Sequence, residues 1–377
     1  MTLPIEIPLY AIRHGQIGGT EFAIYNLIRG LAATDVPLVL NYGRDADLSP
    51  DFLDWTRGVP GISMRRGGGL PGPKSTRFIE EALFQNRRRG DKWAIFPNYF
   101  CPPALVGRRG RNCVILHDIQ YKRYPEYHSP KRRAWLDFYL PRMLRSADAI
   151  ILISQSELSL VREYFGEAIA ARCDVVPNAI DFVRLQGGTG KPSAEARQMV
   201  GKRYILSVCH QFPHKNVPTL LAAFANVAQR DPSLQLYLVG SSSAANRDFV
   251  RAASTPAIID RVHLTGFVSD ADLGLLYAHA QLFVLPSLYE GFGMPAVESL
   301  GLGIPTLVSN AYALPEVTLG HAGVIDQPRD PAVWADAIEA ALASGNRPSS
   351  AAIAEIRATY EPATVARKLV KVLSARG

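Results

Sequence analysis

Short apolar runs alternate with amphipathic stretches along the whole 377-residue chain. In the first half the runs are "VPLVLNY", "WAIFPN", "NCVILHD", "AIILIS" and "CDVVPN". They are continuous, not alternating, which is the pattern of strands buried on both faces of a parallel sheet. Several end in a polar or turn residue, as suits a strand that delivers its carboxyl end to a site. "EFAIYNLIRGLAAT" and "SELSLVREYFG" carry helical spacing between them. The stretch "RLQGGTGKPSAEARQMVGK" breaks this rhythm and reads as a linker. The alternation then restarts with "RYILSVC", "LQLYLVGS", "RVHLTGFV", "AQLFVLPS", "IPTLVSN" and "AGVID". The expected architecture is α/β, with two Rossmann-like, doubly wound domains. The first spans residues 1–185, the linker 186–201 and the second domain 202–361. A final amphipathic helix over 362–377 is expected to cross back to the first domain, its cationic end suiting the helix dipole.

Length also favours two domains, because single cores stop growing at roughly 250–300 residues. No apolar run approaches the roughly 20 residues of a membrane span. The first residues lack the basic and apolar regions of a signal peptide. Cys101, Cys113, Cys173 and Cys209 are scattered without paired spacing, so they read as reduced thiols of a cytoplasmic protein. The net charge of +7 is uneven: residues 1–185 carry 25 Lys and Arg against 19 Asp and Glu. Clusters such as Arg87–Arg89 and Lys131–Arg133 suit an anionic membrane face or an anionic acceptor, or simply a solvated surface. They lack interleaved aromatics and any nucleic-acid motif, so no nucleic-acid partner is expected.

Three stretches carry candidate chemistry. "HGQIGGTEFAIYNL" sets glycines before a helix, where backbone N–H groups and the helix dipole suit a phosphate or sugar; a tight structural turn is the competing reading. "SVCHQFPHKN" follows a strand and offers Lys215 as a point charge for a diphosphate, ahead of a helix. "SLYEGFGMPAVESLGLG" puts Glu290 and Glu298 eight positions apart around Gly291 and Gly293. Pro295 suits the first helical turn, and Glu298 is expected in that same turn. Two carboxylates at the carboxyl edge of a sheet can each accept from a vicinal diol, so together they suit a sugar and a ribose. The simpler alternatives are a turn acid and a helix-dipole acid.

The stretches "GGTE", "HDIQYKRYPEYH", "ADAIILISQSE", "VVPNAID" and "PHKN" occur in that order. The segment from "GFVSDADLGLLYAHAQ" through "LFVLPSLYEGFGMPAVESLGLGIPTLVSN" follows them. Together they resemble the retaining, two-domain GT-B glycosyltransferases marked by an E-x7-E signature, of family 4 and group 1 type, mannosyltransferase-like branch. The resemblance implies a cleft between the two domains. It implies that Glu298 binds the donor ribose and Glu290 the transferred sugar. Backbone of Gly291, Phe292, Gly293 and Met294 would hold sugar hydroxyls and phosphate. Lys215 would neutralise the leaving diphosphate, with His210, Asn216 and Gly240 beside it. Gly19 would approach the phosphate from the first domain, and Phe267 and Val268 would seat the base. His117 would face the reacting centre with Asp118 beside it.

The chain departs from that pattern where relatives carry an Arg before the Lys; His210 stands nearest, and a neutral His is a weaker phosphate partner. Ala179 replaces the usual Gly of "PNGVD". The triplets Asp45-Ala-Asp47 and Asp270-Ala-Asp272 read as structural, Asp270 as a helix cap, and no metal or other cofactor is expected. The resulting expectation is a metal-independent retaining glycosyltransferase. It would use a nucleotide-diphosphate sugar, GDP-mannose first, and a lipid-linked or polysaccharide acceptor at the inner membrane face. "KRRAWLDFYLPRMLRSAD" suits such a face or an ordinary packed helix, although Pro141 interrupts its pattern. A nucleotide-sugar epimerase or hydrolase, or a non-catalytic sugar-nucleotide binder, is the alternative.

Overall fold

The computed structural model describes residues 4–15, 18–44, 47–67, 76–88, 92–97, 110–187, 190–209, 212–240 and 243–376. The chain forms two compact units: residues 1–179 with 360–377, and residues 180–359.

The first unit is built on seven parallel strands: β1 (Ile5–Pro8), β2 (Leu38–Tyr42), β3 (Ile62–Arg66), β4 (Trp93–Phe96), β5 (Arg111–Leu116), β6 (Ala149–Leu152) and β7 (Cys173–Val175). Their order is β3-β2-β1-β4-β5-β6-β7. β1, β4 and β6 are buried throughout, which explains why β4 and β6 are unbroken apolar runs; β1 carries one buried charge, Glu6. β3, "ISMRR", is an exposed edge strand. Its polar sequence hides it from a hydrophobicity reading, and its arginines suit an edge that must not pair with another chain. The Gly19–Ala32 helix packs against the last helix, Pro362–Ala375, within this unit. The cation at the end of that last helix is Arg376, just past its final turn. It bonds the Asp174 carboxylate and the Arg172 carbonyl (2.8 Å each).

The Pro130–Ser146 helix runs unbroken through Pro141, contrary to the expectation of an interruption. A proline removes one hydrogen bond and crowds one carbonyl. Here Leu136, Tyr139, Leu140, Met143 and Leu144 bury one face and hold the helix together. Trp135 and Phe138 remain exposed on it.

The second unit has six parallel strands: β8 (Tyr204–Val208), β9 (Gln235–Val239), β10 (Val262–Gly266), β11 (Leu282–Leu285), β12 (Thr306–Ser309) and β13 (Gly323–Ile325). Their order is β10-β9-β8-β11-β12-β13. All six correspond to the apolar runs of the sequence. The core beneath them is one cluster that includes Tyr204, Phe224, Tyr237, Phe283 and Trp334. Full burial of each such side chain contributes about 1.5–3 kcal/mol.

The unit begins at Ile180, upstream of the expected linker. The stretch read as a linker belongs to the unit: Ser193 caps the short Ala194–Arg197 helix, and its backbone N–H donates to Asp272 Oδ1 (2.7 Å). Ser269, not Asp270, caps the Asp270–His279 helix. Asp270 instead pairs with Arg184. Among the described residues, no helix is long and apolar enough to cross a membrane.

Candidate functional site

In a doubly wound sheet, ligands bind outside the carboxyl ends of the strands where the order reverses. In the second unit that point lies between β8 and β11, which are neighbours with Leu206 beside Phe283. The loop after β8 carries Lys215 and the loop after β11 carries Glu290. The lysine Nζ donates to Glu290 Oε1 at 2.7 Å, with both side chains largely buried. Ser287 Oγ donates to the same Oε1 at 2.7 Å, and Ser309 Oγ anchors the Ser287 carbonyl from β12. Among the described residues Glu290 Oε2 accepts no bond and Lys215 has one partner. One carboxylate oxygen and two ammonium hydrogens thus have no partner among the described residues at the edge of the crevice.

The two loops are stitched together. Leu288 N–H donates to the His214 carbonyl (2.7 Å). Asn216 adopts a left-handed conformation (φ 56°) just before the Val217–Arg230 helix. Its amide donates to the carbonyls of Pro286 (3.1 Å) and Pro328 (2.6 Å), while its Oδ1 accepts from Thr219 (2.7 Å). These bonds from the side chain expected to touch donor hold the loop that presents Lys215.

Gly293 (φ 92°) opens the Met294–Gly301 helix. A Cβ there would lie 2.5 Å from Leu314 Cδ2, so both the turn and the packing demand glycine. Phe292 and Met294 are buried. Glu298 is the fifth residue of the helix and lies beyond its first turn, where it was expected. It does not serve the dipole; it sits in a buried network. Arg184 Nη2 donates to Oε1 (3.1 Å) and the Tyr277 hydroxyl to Oε2 (3.1 Å). Arg184 also binds Asp270. Burial pushes the Glu298 carboxyl above its ordinary pKa, against the pull of Arg184 and Tyr277, and Asp270 adds to the rise. Each oxygen keeps a second lone pair for a further donor. Arg184, Tyr277 and Ser287 were missed by sequence reasoning. The one available signal was Arg184, set with Asp181 among the apolar residues of "AIDFVRL".

Gly240 and Phe267 stand on the same carboxyl edge, after β9 and β10. Gly240 N–H donates to the Gly266 carbonyl (3.1 Å). Phe267 is 63% exposed and Val268 packs on the core. His210 lies outside the described residues. Among the described residues no cluster of His, Cys, Asp or Glu could hold a metal ion. Asp47 pairs with Arg13 (2.6 Å); Asp45 lies outside the described residues. The cysteines described, Cys113, Cys173 and Cys209, form no disulfide with one another. Cys209 directly follows β8, and burial raises its pKa to about 11.

The first unit supplies its own set. Gly18 (φ 57°) precedes Gly19, the first residue of its helix. Glu21 folds back to close the loop, accepting from His14 Nδ1 (2.8 Å) and Gly15 N–H (2.9 Å). His117 follows β5, and its Nε2–H donates to the Pro97 carbonyl (3.0 Å). Desolvation lowers its pKa, outweighing that carbonyl and Asp118. Asp118 accepts from Gln120 N–H two residues on (3.0 Å). Buried Glu157 holds Ile119 N–H (3.1 Å).

Two family models match the chain: "Glycosyltransferase Family 4" over residues 17–184 and "Glycosyl transferases group 1" over 193–357. Among curated proteins, O-antigen chain mannosyltransferase B of Escherichia coli is 30% identical over 241 residues, 62% of this chain and 61% of that one. The MMP alpha-(1->4)-mannosyltransferase of Mycolicibacterium hassiacum is 30% identical over 262 residues, 66% of this chain and 61% of that one. Glycogen synthase of Mycobacterium tuberculosis is 28% identical over 234 residues, 61% of this chain and 55% of that one. The matches thus span about three fifths of these relatives' lengths. Among solved structures, sucrose-phosphate synthase from Thermosynechococcus elongatus shares the fold (TM-score 0.76, 20% identity, 99% and 98% covered). So does Anabaena HepE in complex with UDP and glucose (TM-score 0.72, 20% identity, 99% and 100% covered).

Proposed function

The chain belongs to the group 1 and family 4 glycosyltransferases, and we propose that it moves a mannosyl unit from GDP-mannose to a hydroxyl of a growing glycan. The observation that carries the reading is the Lys215–Glu290 pair at the β8/β11 crevice, with its unused oxygen and ammonium hydrogens. The donor diphosphate would take the free hydrogens of Lys215, near the start of the Val217–Arg230 helix. As the bond from the sugar C1 to phosphate oxygen breaks, negative charge grows on that oxygen. A fixed ammonium stabilises it where it develops. Glu290 Oε2 would accept from a hydroxyl of the sugar and orient it. Glu298 would accept from the ribose diol.

Retention follows from attack on the face the diphosphate leaves: the acceptor oxygen bonds C1, and its proton passes to the departing phosphate oxygen. Glu290, already holding Lys215 and Ser287, is not nominated as a covalent nucleophile. Asp270 and Asp272 are engaged by Arg184 and Ser193, so activity is expected to survive a chelator; metal dependence would overturn that part of the reading.

The choice of mannose rests on the mannosyltransferases at 30% identity. A lipid-linked or polysaccharide acceptor at the inner membrane face suits the Pro130–Ser146 helix, whose exposed Trp135 and Phe138 adjoin Lys131–Arg133. The test is a thermal-shift screen against GDP-, UDP-, dTDP- and ADP-sugars, followed by transfer of labelled sugar. GDP-mannose is expected to stabilise most and its label to move to glycan. Stabilisation by UDP-glucose instead would overturn the donor assignment. Label that is epimerised on the nucleotide, or released to water, would overturn transfer itself.

A further inference from the structure

A second cavity, of about 350 Å³, lies within the first unit, between β1–β2–β3 and the Thr76–Arg87 helix. Small-molecule sites begin at about this size. Its floor is polar where a sheet core is normally apolar. Glu6 and Asn41 reach it from buried faces of β1 and β2. Buried Arg88 holds Glu6 (3.1 Å), Asn112 (2.7 Å) and Gln85 (3.1 Å), so the floor is built and rigid. One wall is aromatic, with Tyr10 and Phe84 rings 6.2 Å apart. Gly67 closes over Tyr10: a Cβ there would meet the tyrosine ring and hydroxyl at 2.9 Å. Burial, with Glu80 and Glu81, raises the Tyr10 pKa to about 12, so its hydroxyl stays a donor. The rim is cationic, with exposed Arg65 on β3 and exposed Arg87 on the helix.

Aromatic wall, buried carboxylate and amide, and cationic rim each match one part of a ligand. The ring faces suit the C–H face of a sugar, Glu80 and Asn41 suit its hydroxyls, and Arg65 and Arg87 suit an anion. We infer that this cavity binds an acidic saccharide, a sugar bearing a phosphate or a carboxylate. Given glycosyl transfer, which this identification rests on, that saccharide is the acceptor end of the glycan.

The experiment is isothermal titration and saturation-transfer NMR on the full chain. The probes are glucose 6-phosphate, glucuronate and neutral methyl α-mannoside. Saturable binding of one or both acids, with no saturation by the neutral sugar, is expected; which acid binds distinguishes phosphate from carboxylate. Arg65→Ala with Arg87→Ala, both surface positions, should weaken that binding about tenfold or more while thermal unfolding stays as in the wild type. Lys215→Ala should leave it intact. Equal binding of neutral and acidic sugars, no binding, or no effect of the arginine pair would overturn the inference. Loss in Lys215→Ala would move the binding to the nucleotide crevice and overturn it also. Failure here leaves nucleotide-sugar binding at Lys215 standing, because the GDP-mannose screen reads the other unit.

Discussion

Between β8 and β11 the crevice is edged by a lysine and two glutamates; between β1 and β4 the matching edge carries glycines, with a neutral histidine one strand further on. The two sheets share the doubly wound order and an all-parallel ladder. The difference at the crevice lies in the loops and helices that follow the strands. In the second unit, Lys215 and Glu290 compensate each other at a partly open edge. In the first, the acid of the glycine loop, Glu21, is turned inward and bound by His14 and Gly15. His117 there borders an apolar cavity of about 20 Å³, lined also by Ile24, Leu27 and Ile115. That space holds about one water. One topology thus presents charge in one unit and encloses it in the other, which is why fold alone assigns no chemistry.

The sharpest way to break the comparison is Lys215→Ala. It removes the cation from the only charged switch-point crevice found among the described residues and leaves Glu290 uncompensated. Turnover with the preferred sugar nucleotide should fall by about 10²–10³-fold, the scale of one lost transition-state donor. Steady-state kinetics within tenfold of wild type would reduce the ion pair to a loop fastener.

Glu298→Gln tests the buried half of the same crevice. Losing a charged acceptor for the ribose should weaken nucleotide binding about 10–100-fold. The pH dependence sharpens this. Because the carboxyl is raised above its ordinary 4.5, the folded chain holds a proton there that the unfolded chain has released. Stability from this group is therefore full below 4.5 and is lost as pH rises through the folded value. Nucleotide affinity, which needs the carboxylate, rises over the same window. Arg184→Met should extend that window upward, since Arg184 favours ionisation; Tyr277 and Asp270, the other groups facing Glu298, remain. Titrations of nucleotide affinity that match wild type in Arg184→Met would show that the arginine does not hold Glu298 ionised.

Gly293→Ala should destabilise the second unit by about 1–3 kcal/mol through its left-handed backbone and its contact with Leu314. Urea unfolding read alongside nucleotide binding checks this. An unchanged midpoint would mean that the loop relaxes freely, and that its glycine is needed for ligand approach alone.

The strands of the second unit were legible because buried parallel strands spell themselves out as apolar runs, "LFVL" being the plainest. β3 was not, because an exposed edge has no such run. Glu290 and Glu298 were legible from spacing, and Lys215 from its turn. That Lys215 meets Glu290 across 75 positions, or Arg184 meets Glu298 across 114, depends on which strands become neighbours, and no local pattern encodes that. The bonds of Asn216 were hidden for the same reason: its partners Pro286 and Pro328 arrive from other loops. The linker was misplaced because Gly- and Ser-rich composition also suits a short ordered loop, here held by Asp272.

His117 gives the smallest effect and tests the enclosed side of the comparison. Its pKa is lowered from 6.5 by burial, so on acidification the unfolded chain takes up this proton before the folded chain does. Stability from the group is present above 6.5 and falls away as pH drops through the folded value. His117→Gln keeps an N–H for the Pro97 carbonyl but cannot titrate. The wild type should therefore lose more thermal stability than the variant between pH 7 and pH 5, by about 2–4 °C in Tm. Scanning calorimetry at the two pH values reads this directly. Equal losses would mean that His117 reaches solvent and charges freely, and the two crevices would then differ less in charge than their geometry implies.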